Sequence, residues 1–194
     1  EDFTQDRARW TRVLTEMREA LAHRGRDQTG EYLRACVGLA HTRLSILDLS
    51  GGAQPLVRRG ARGEYAIVYN GEIYNTDELI PDLTRRGFRF ETTCDTEVIL
   101  CAYMAYGPDF ASRLNGIFAL AIWDGAERRL VLCRDRVGVK PLFYTEKGRT
   151  LVFGSEPKAL FCHPQVTPEA DLAASGRALG SVRPGPRAAA LSRG

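Results

Sequence analysis

Apolar residues return at spacings of three, four and seven near the start of the chain, at Trp10, Val13, Leu14, Met17 and Leu21. That period predicts an amphipathic helix over residues 4–22, capped by Thr4 and closed by the polar break His23-Arg24-Gly25-Arg26-Asp27. Residues 33–46 are apolar and β-prone, and Gly51-Gly52-Ala53-Gln54-Pro55 reads as a loop. Residues 65–74 alternate around Asn70-Gly71. This predicts a hairpin with Asn70-Gly71 as its type I′ turn, where both central residues need φ > 0. Asn75 and Glu78 match a capping box, opening a helix that runs towards Arg86 and stops at Gly87, with Pro81 inside it. A second helix starts near Asp95 and carries Val98, Ile99, Ala102 and Met104 to Gly107. From Ile117 the period changes to two. Strands are expected at 117–124, 130–134, 142–145 and 151–154, separated by Asp124-Gly125 and Lys147-Gly148. Two strand-rich regions with helices before and between them predict an α+β fold, helices packed on antiparallel sheets.

Composition sharpens this only at the ends. With 44% apolar and 26% charged residues the chain has the balance of a globular domain. No apolar run nears the roughly 18 residues of a membrane helix, and no signal-peptide pattern opens the chain. Cys36, Cys94, Cys101, Cys133 and Cys162 are an odd number without a C-x-x-C pair. This speaks against a disulfide framework or zinc site and for a cytoplasmic location. The net charge of +3 is misleading, because the last 23 residues hold four Arg and no acid. The remainder has 23 basic and 24 acidic residues, so the charge gives no sign of nucleic acid. From Ala173 the chain is Ala, Gly, Arg, Ser and Pro without apolar period. It is expected to be disordered, with a composition that a frame-shifted GC-rich gene would produce.

Asn70 and Gly71 also carry chemistry. A carboxamide and a bare backbone N–H on a stiff support are two donors suited to a developing oxyanion, and Glu72 adds a carboxylate next to them. Taken alone, an Asn-Gly pair is more often an ordinary turn. Arg43 alone would be a surface ion-pair former, and Asp95 a first-turn acid favoured by the helix dipole.

The strings His23-Arg24-Gly25-x-Asp27, Leu39-Ala40-His41-Thr42-Arg43-Leu44-Ser45-Ile46-Leu47-Asp48 and Gln54-Pro55-Leu56 precede Tyr69-Asn70-Gly71-Glu72-Ile73-Tyr74-Asn75. Asp95-Thr96-Glu97-Val98-Ile99, Arg134-Asp135-Arg136-x-Gly138-x-Lys140-Pro141-Leu142 and Ser155-Glu156-x-Lys158-Ala159-Leu160 follow. Seven strings in register resemble the glutaminase domain of glutamine-dependent asparagine synthetases, class II glutamine amidotransferases, over residues 1–163, leaving 164–194 as a tail.

The resemblance implies a four-layer αββα sandwich of N-terminal-nucleophile type, with two antiparallel sheets between helices. It also implies a mature first residue Cys, whose thiolate attacks the glutamine amide with its own α-amino group as base. Asn70 and Gly71 then match the oxyanion hole. Arg43 matches the grip on the substrate α-carboxylate, Glu72 and Asp95 the groups near its α-amino group, and Ile46 and Leu47 the backbone carbonyls offered to it. Arg134, Asp135 and Lys140 look structural or domain-facing. The implied partners are glutamine and an ammonia-accepting synthetase domain absent from this chain, which would hold the ATP and magnesium. No cofactor, nucleic acid or membrane is expected here, and a homodimer is left open.

Three departures stand out. The Met-Cys-Gly-Ile start is missing ahead of Asp2-Phe3, and the chain opens on Glu1, so a fragment or processed product without glutaminase activity is expected. If the missing residues form a central strand, the sheet has a gap and an open edge. Cys94 stands where Ser would cap a helix with Glu97, and Arg26 replaces a Pro. The competing expectation is a non-catalytic glutamine-binding or interaction module of the same fold. Ser50-Gly51-Gly52 shares only three residues with a pyrophosphate loop, and Gln54 replaces its Asp, so no ATP site is expected here.

Overall fold

The computed structural model describes residues 2–25, 27–43, 52–168 and, by backbone, 189–191. Its elements run α1 (Arg7–Glu19), β1 (Gln28–Arg34), β2 (Val37–Arg43), β3 (Leu56–Gly60), β4 (Gly63–Ile73) and α2 (Thr76–Arg85). They continue with α3 (Asp95–Tyr106), β5 (Gly116–Asp124), β6 (Arg129–Arg134), β7 (Phe143–Lys147), β8 (Thr150–Gly154), α4 (Pro157–Leu160) and β9 (Ala189–Leu191). One five-stranded antiparallel sheet has the order β3-β4-β5-β6-β9, and β1-β2 and β7-β8 form two-stranded ribbons.

Alternation along each strand sets the layers, because successive side chains point to opposite faces. Ile67, Tyr69, Ile73, Leu120, Ile122 and Val131 face α2 and α3 in one core. Ala66, Val68, Ala121, Trp123 and Leu132 face the other way and meet Tyr32, Val37 and Leu39 of the first ribbon and Leu151 and Phe153 of the second. On the ribbons' outer side, Leu33 packs with Trp10 and Val13 of α1. Val152 packs with Leu160 and Val166 there. The result is the expected αββα sandwich of antiparallel sheets between helices. Its second β layer, however, is two separate ribbons rather than one sheet.

α3 is buried on every side from Thr96 to Tyr103, so it is a core helix rather than an amphipathic one. Its buried Glu97 is held by the backbone N–H groups of Glu91 and Thr92 and by Arg58. Burial would raise its pKa, but those bonds win and lower it.

Several expectations need correction. Asn70-Gly71 is not a turn: both lie within β4, opposite Ala119 and Phe118, and the ladder runs on to Ile73 opposite Gly116. Pairing with all nine residues of β5 buries Ile73, and it overrides local turn propensity. Gly71 is needed for another reason, since a Cβ there would lie 2.2 Å from the Ile117 carbonyl oxygen. Thr4 bonds Asp2 instead of capping α1, and Asp6 accepts the Arg9 N–H. The apolar stretch expected over 33–46 is part of a hairpin, β1 and β2, and its residues 44–46 lie outside the described ones. Asn75 occupies the N-cap of α2, yet its side chain ties to the Arg113 carbonyl and the Asn115 N–H. Glu97 likewise forms no capping box, and Cys94 makes no cap bond. Packed chain continues past the expected boundary at His163, with Val166 buried. In the tail expected to be disordered, Ala189–Leu191 pairs with β6, while the rest of 169–194 lies outside the described residues.

Two polar networks fasten the elements. Glu156, ahead of α4, accepts from His23 and Arg24 and pairs with Lys158. Chiefly through the Arg24 bond its pKa falls to about 2. Asp135 accepts the backbone N–H groups of Phe118, Val137, Val139 and Lys140. Arg134 donates to the carbonyls of Gly138 and Lys140, closing residues 135–140 into a rigid loop. This agrees with the structural part expected of Arg134 and Asp135.

Two tests follow from these networks. A depressed carboxylate pKa adds stability that is complete above the unfolded value and fades as pH falls through the folded one. The urea midpoint should therefore drop between pH 4.5 and about 2, with a shallower drop in Glu156→Gln or in high salt. An identical slope in wild type and variant would contradict the network. Asp135→Ala leaves four N–H donors without their acceptor and should lower unfolding free energy by roughly 3 kcal/mol. A loss within experimental error in urea titrations would show that the loop holds itself.

Candidate active site

β4 is wider than the strand beside it. β3 pairs only with Gly63–Ile67, so among the described residues no strand covers the edge of β4 from Val68 onward. The Glu64 carbonyl accepts the Gly125 N–H and the Tyr74 N–H donates to the Asn115 carbonyl, so the even-numbered positions of β4 point to β5. Odd-numbered ones point to the uncovered edge. There Tyr69 N–H donates to Gln54 Oε1 at 2.6 Å, and Ile73 N–H to Asp95 Oδ2 at 3.2 Å. Between them, the Gly71 N–H has no partner among the described residues.

Asn70 shares the face of Ala66 and Val68 and lies on the floor of an apolar cavity of about 650 Å³. Residues of β2 (Val37, Gly38, Ala40, His41) and β8 (Thr150 to Gly154) line its sides. Residues of both parities line it, so strand edges and not only faces border the cavity. The two ribbons therefore face each other across it, with α1 residues Trp10, Leu14 and Met17 as part of its wall.

Asp95, at the first position of α3, also accepts the Tyr69 hydroxyl at 2.7 Å. That bond and burial push the Tyr69 phenol far up, so it stays a donor, with burial the larger cause. Cys94 Sγ lies 3.6 Å from Asp95 Oδ1 and 3.3 Å from Thr96 Oγ1. Arg43 ends β2, bonds Gln28 Oε1 at 3.4 Å, and lies against Gly52, where a Cβ would be 2.2 Å from Nη1. His41 Nε2 sits 3.1 Å from the Tyr69 carbonyl. Burial foremost, with nearby Arg43 adding to it, lowers His41 to about 4. His41 is thus neutral at pH 7 and donates through Nε2.

The expected site residues divide accordingly. Asn70, Gly71 and Glu72 are consecutive on β4, and Asp95 is bonded to that strand. Arg43 lies against Gly52, two residues ahead of Gln54, whose side chain bonds Tyr69 of that strand. Glu72 is exposed. Ile46 and Leu47 lie outside the described residues. Tyr69 and Gln54 stand in the sequence only as members of motif strings; their roles depend on strand register, which no local pattern displays. Buried Cys101 and Cys133 have thiols pushed up to about 11 by burial, unlike an activated nucleophile. Among the described residues no cluster of His, Cys, Asp and Glu is set to hold a metal ion, and no helix is long and apolar enough to cross a membrane.

Residues 2–188 match the glutamine amidotransferase domain family. Asparagine synthetase [glutamine-hydrolyzing] 3 of Bacillus subtilis is 41% identical over 170 residues, 88% of this chain and 28% of that protein. Asparagine synthetase B [glutamine-hydrolyzing] of Escherichia coli is 38% identical over 161 residues, 82% of this chain and 28% of its own length. The chain thus spans under a third of these curated relatives. Among solved structures, glutamine phosphoribosylpyrophosphate amidotransferase of B. subtilis superposes with a TM-score of 0.62 at 23% identity, over 73% of this chain and 38% of that one. The allosteric regulatory enzyme of purine biosynthesis does so with a TM-score of 0.66 at 22% identity, over 78% and 40%. These two show the fold, antiparallel β layers sandwiched between helices. With the family match over residues 2–188 and these relatives, this chain belongs to the glutamine amidotransferase domain family, of the kind carried by glutamine-hydrolysing asparagine synthetases.

Proposed function

We propose that this domain binds glutamine and releases its amide nitrogen as ammonia for an ATP-dependent synthetase domain that amidates aspartate. The observation that carries the reading is the open Gly71 N–H, held next to the Asn70 carboxamide and between two N–H groups already bonded. Two donors on a rigid strand suit the oxyanion of the tetrahedral intermediate. Arg43 takes the substrate α-carboxylate with its planar fork, and Asp95 and Glu72 take the α-ammonium.

The covalent step needs a thiolate that attacks the amide carbon. The C–N bond then breaks, ammonia leaves with a proton from the base, and water hydrolyses the thioester to glutamate. The buried thiols here do not suit that role. An extended segment carrying Cys, laid between β2 and β8 over Asn70, would suit it and would join the two ribbons into one sheet. ATP and magnesium belong in this proposal to the synthetase domain. The rigid loop that Asp135 closes presents Val137, 87% exposed, and Val139, which supports a partner-facing role for this end of the sheet. A cytoplasmic location fits the free cysteines. The second reading, a non-catalytic glutamine-binding module, draws on those same cysteines and keeps every contact except the covalent one.

Calorimetry with glutamine tests both readings. Arg43→Lys should weaken binding roughly 10- to 100-fold, because a point charge cannot replace the bidentate fork. Equal affinity in wild type and variant would remove Arg43 from the site. The 194-residue chain itself should release no ammonia from glutamine. Release that Asn70→Ala lowers by about 10²–10³-fold would instead place a working nucleophile within this chain.

A further inference from the structure

Gln54 lies on no helix or strand, yet three elements meet at its side chain. Its Oε1 accepts the Tyr69 N–H at 2.6 Å, and its Nε2 faces the Thr96 Oγ1 at 3.5 Å, at the start of α3. Its main chain crosses β1 so closely that a Cβ on Gly30 would lie 2.1 Å from the Gln54 carbonyl oxygen. The Tyr69 N–H can only donate, so the carboxamide's acceptor end must face β4, and its donor end is left towards Thr96, which is 1% exposed. Two positions further along the same edge, Asp95 takes the Ile73 N–H. An uncovered strand edge ordinarily recruits another strand, because its N–H and C=O groups are left unpaired.

We propose that Gln54 is a positioning residue. With Asp95 it closes the edge of β4 on both sides of Gly71, keeping β3 from extending and leaving the Gly71 N–H as the one donor of that edge without a partner among the described residues. The inference deepens the glutaminase reading and rests on it only for the use made of that donor. Gln54 itself touches no reacting atom. A side chain can hold one N–H without continuing the ladder, which a backbone partner cannot do; a third strand here would also cover Gly71.

Amide hydrogen exchange by NMR on the full 194-residue chain tests this without requiring activity. Tyr69 and Ile73 amides should exchange slowly and Gly71 fast. Gln54→Leu should speed Tyr69 exchange about ten-fold, the equivalent of one lost hydrogen bond. Gln54→Glu keeps the acceptor and should restore Tyr69 protection. Gly30→Ala should also release Tyr69, by displacing the Gln54 main chain. Unchanged Leu120 and Ile122 amides, in the middle of β5, serve as the check that each variant is folded. A slow Gly71 in wild type, or Tyr69 protection that survives Gln54→Leu, overturns the proposal. Added glutamine separates the two ideas. If the exchange pattern holds and glutamine moves the Gly71 resonance, both stand. If the pattern holds and glutamine moves nothing, the clamp stands and the glutamine reading falls.

Discussion

A β-strand must satisfy two edges, and in this protein β4 satisfies them by different means. Along β5 it makes an unbroken ladder from Tyr65 to Ile73. Along the other edge a strand covers less than half of it, and isolated side chains complete the task. The rest of the architecture serves this asymmetry. α3 is buried on all sides, which fixes Asp95 at its first position. Glu97, in its first turn, ties the preceding residues Glu91 and Thr92 to the helix. The bend at Gln54 is locked over Gly30. A site made of backbone needs this kind of support, since a misplacement of about an ångström weakens transition-state contacts severely.

Much of the architecture was legible because it is local. The apolar period of α1, the start of α3 at Asp95 and the period-two strands after Ile117 lie in the sequence without reference to other segments. The Asn70-Gly71 turn was misread for the converse reason. Asn-Gly is a strong local signal, but the register with β5 is non-local, and there glycine answers to the approach of Phe118 rather than to a positive φ. The site residues Asn70, Gly71 and Asp95 came from the family resemblance, not from spacing. The residues that tie them together, Tyr69 and Gln54, are joined across gaps of 26 residues (Tyr69 to Asp95) and 15 residues (Gln54 to Tyr69).

The packing of the second β layer shows how the cavity coexists with a dry core. Where the ribbons meet the large sheet, β4 and β5 offer Ala66 and Ala121, small residues that let Val37, Leu39 and Phe153 approach. On the outer side Gly38 gives Leu14 room against β2. These contacts hold each ribbon in place through its faces. Their facing edges, by contrast, form no ladder with one another among the described residues. The ribbons are anchored separately, so the space between them is shaped by the helices and the large sheet.

The loop after β6 has a consequence for how such a domain can change. Residues 135–140 are closed by bonds from Asp135 and Arg134 to the loop's own backbone. The side chains at its tip, Val137 and Val139, take no part in that closure and point into solvent. Shape is written in one set of residues and surface character in another. Substitutions at the tip can therefore drift freely while the backbone beneath them keeps its form, giving the fold a place to acquire new neighbours without renegotiating its interior.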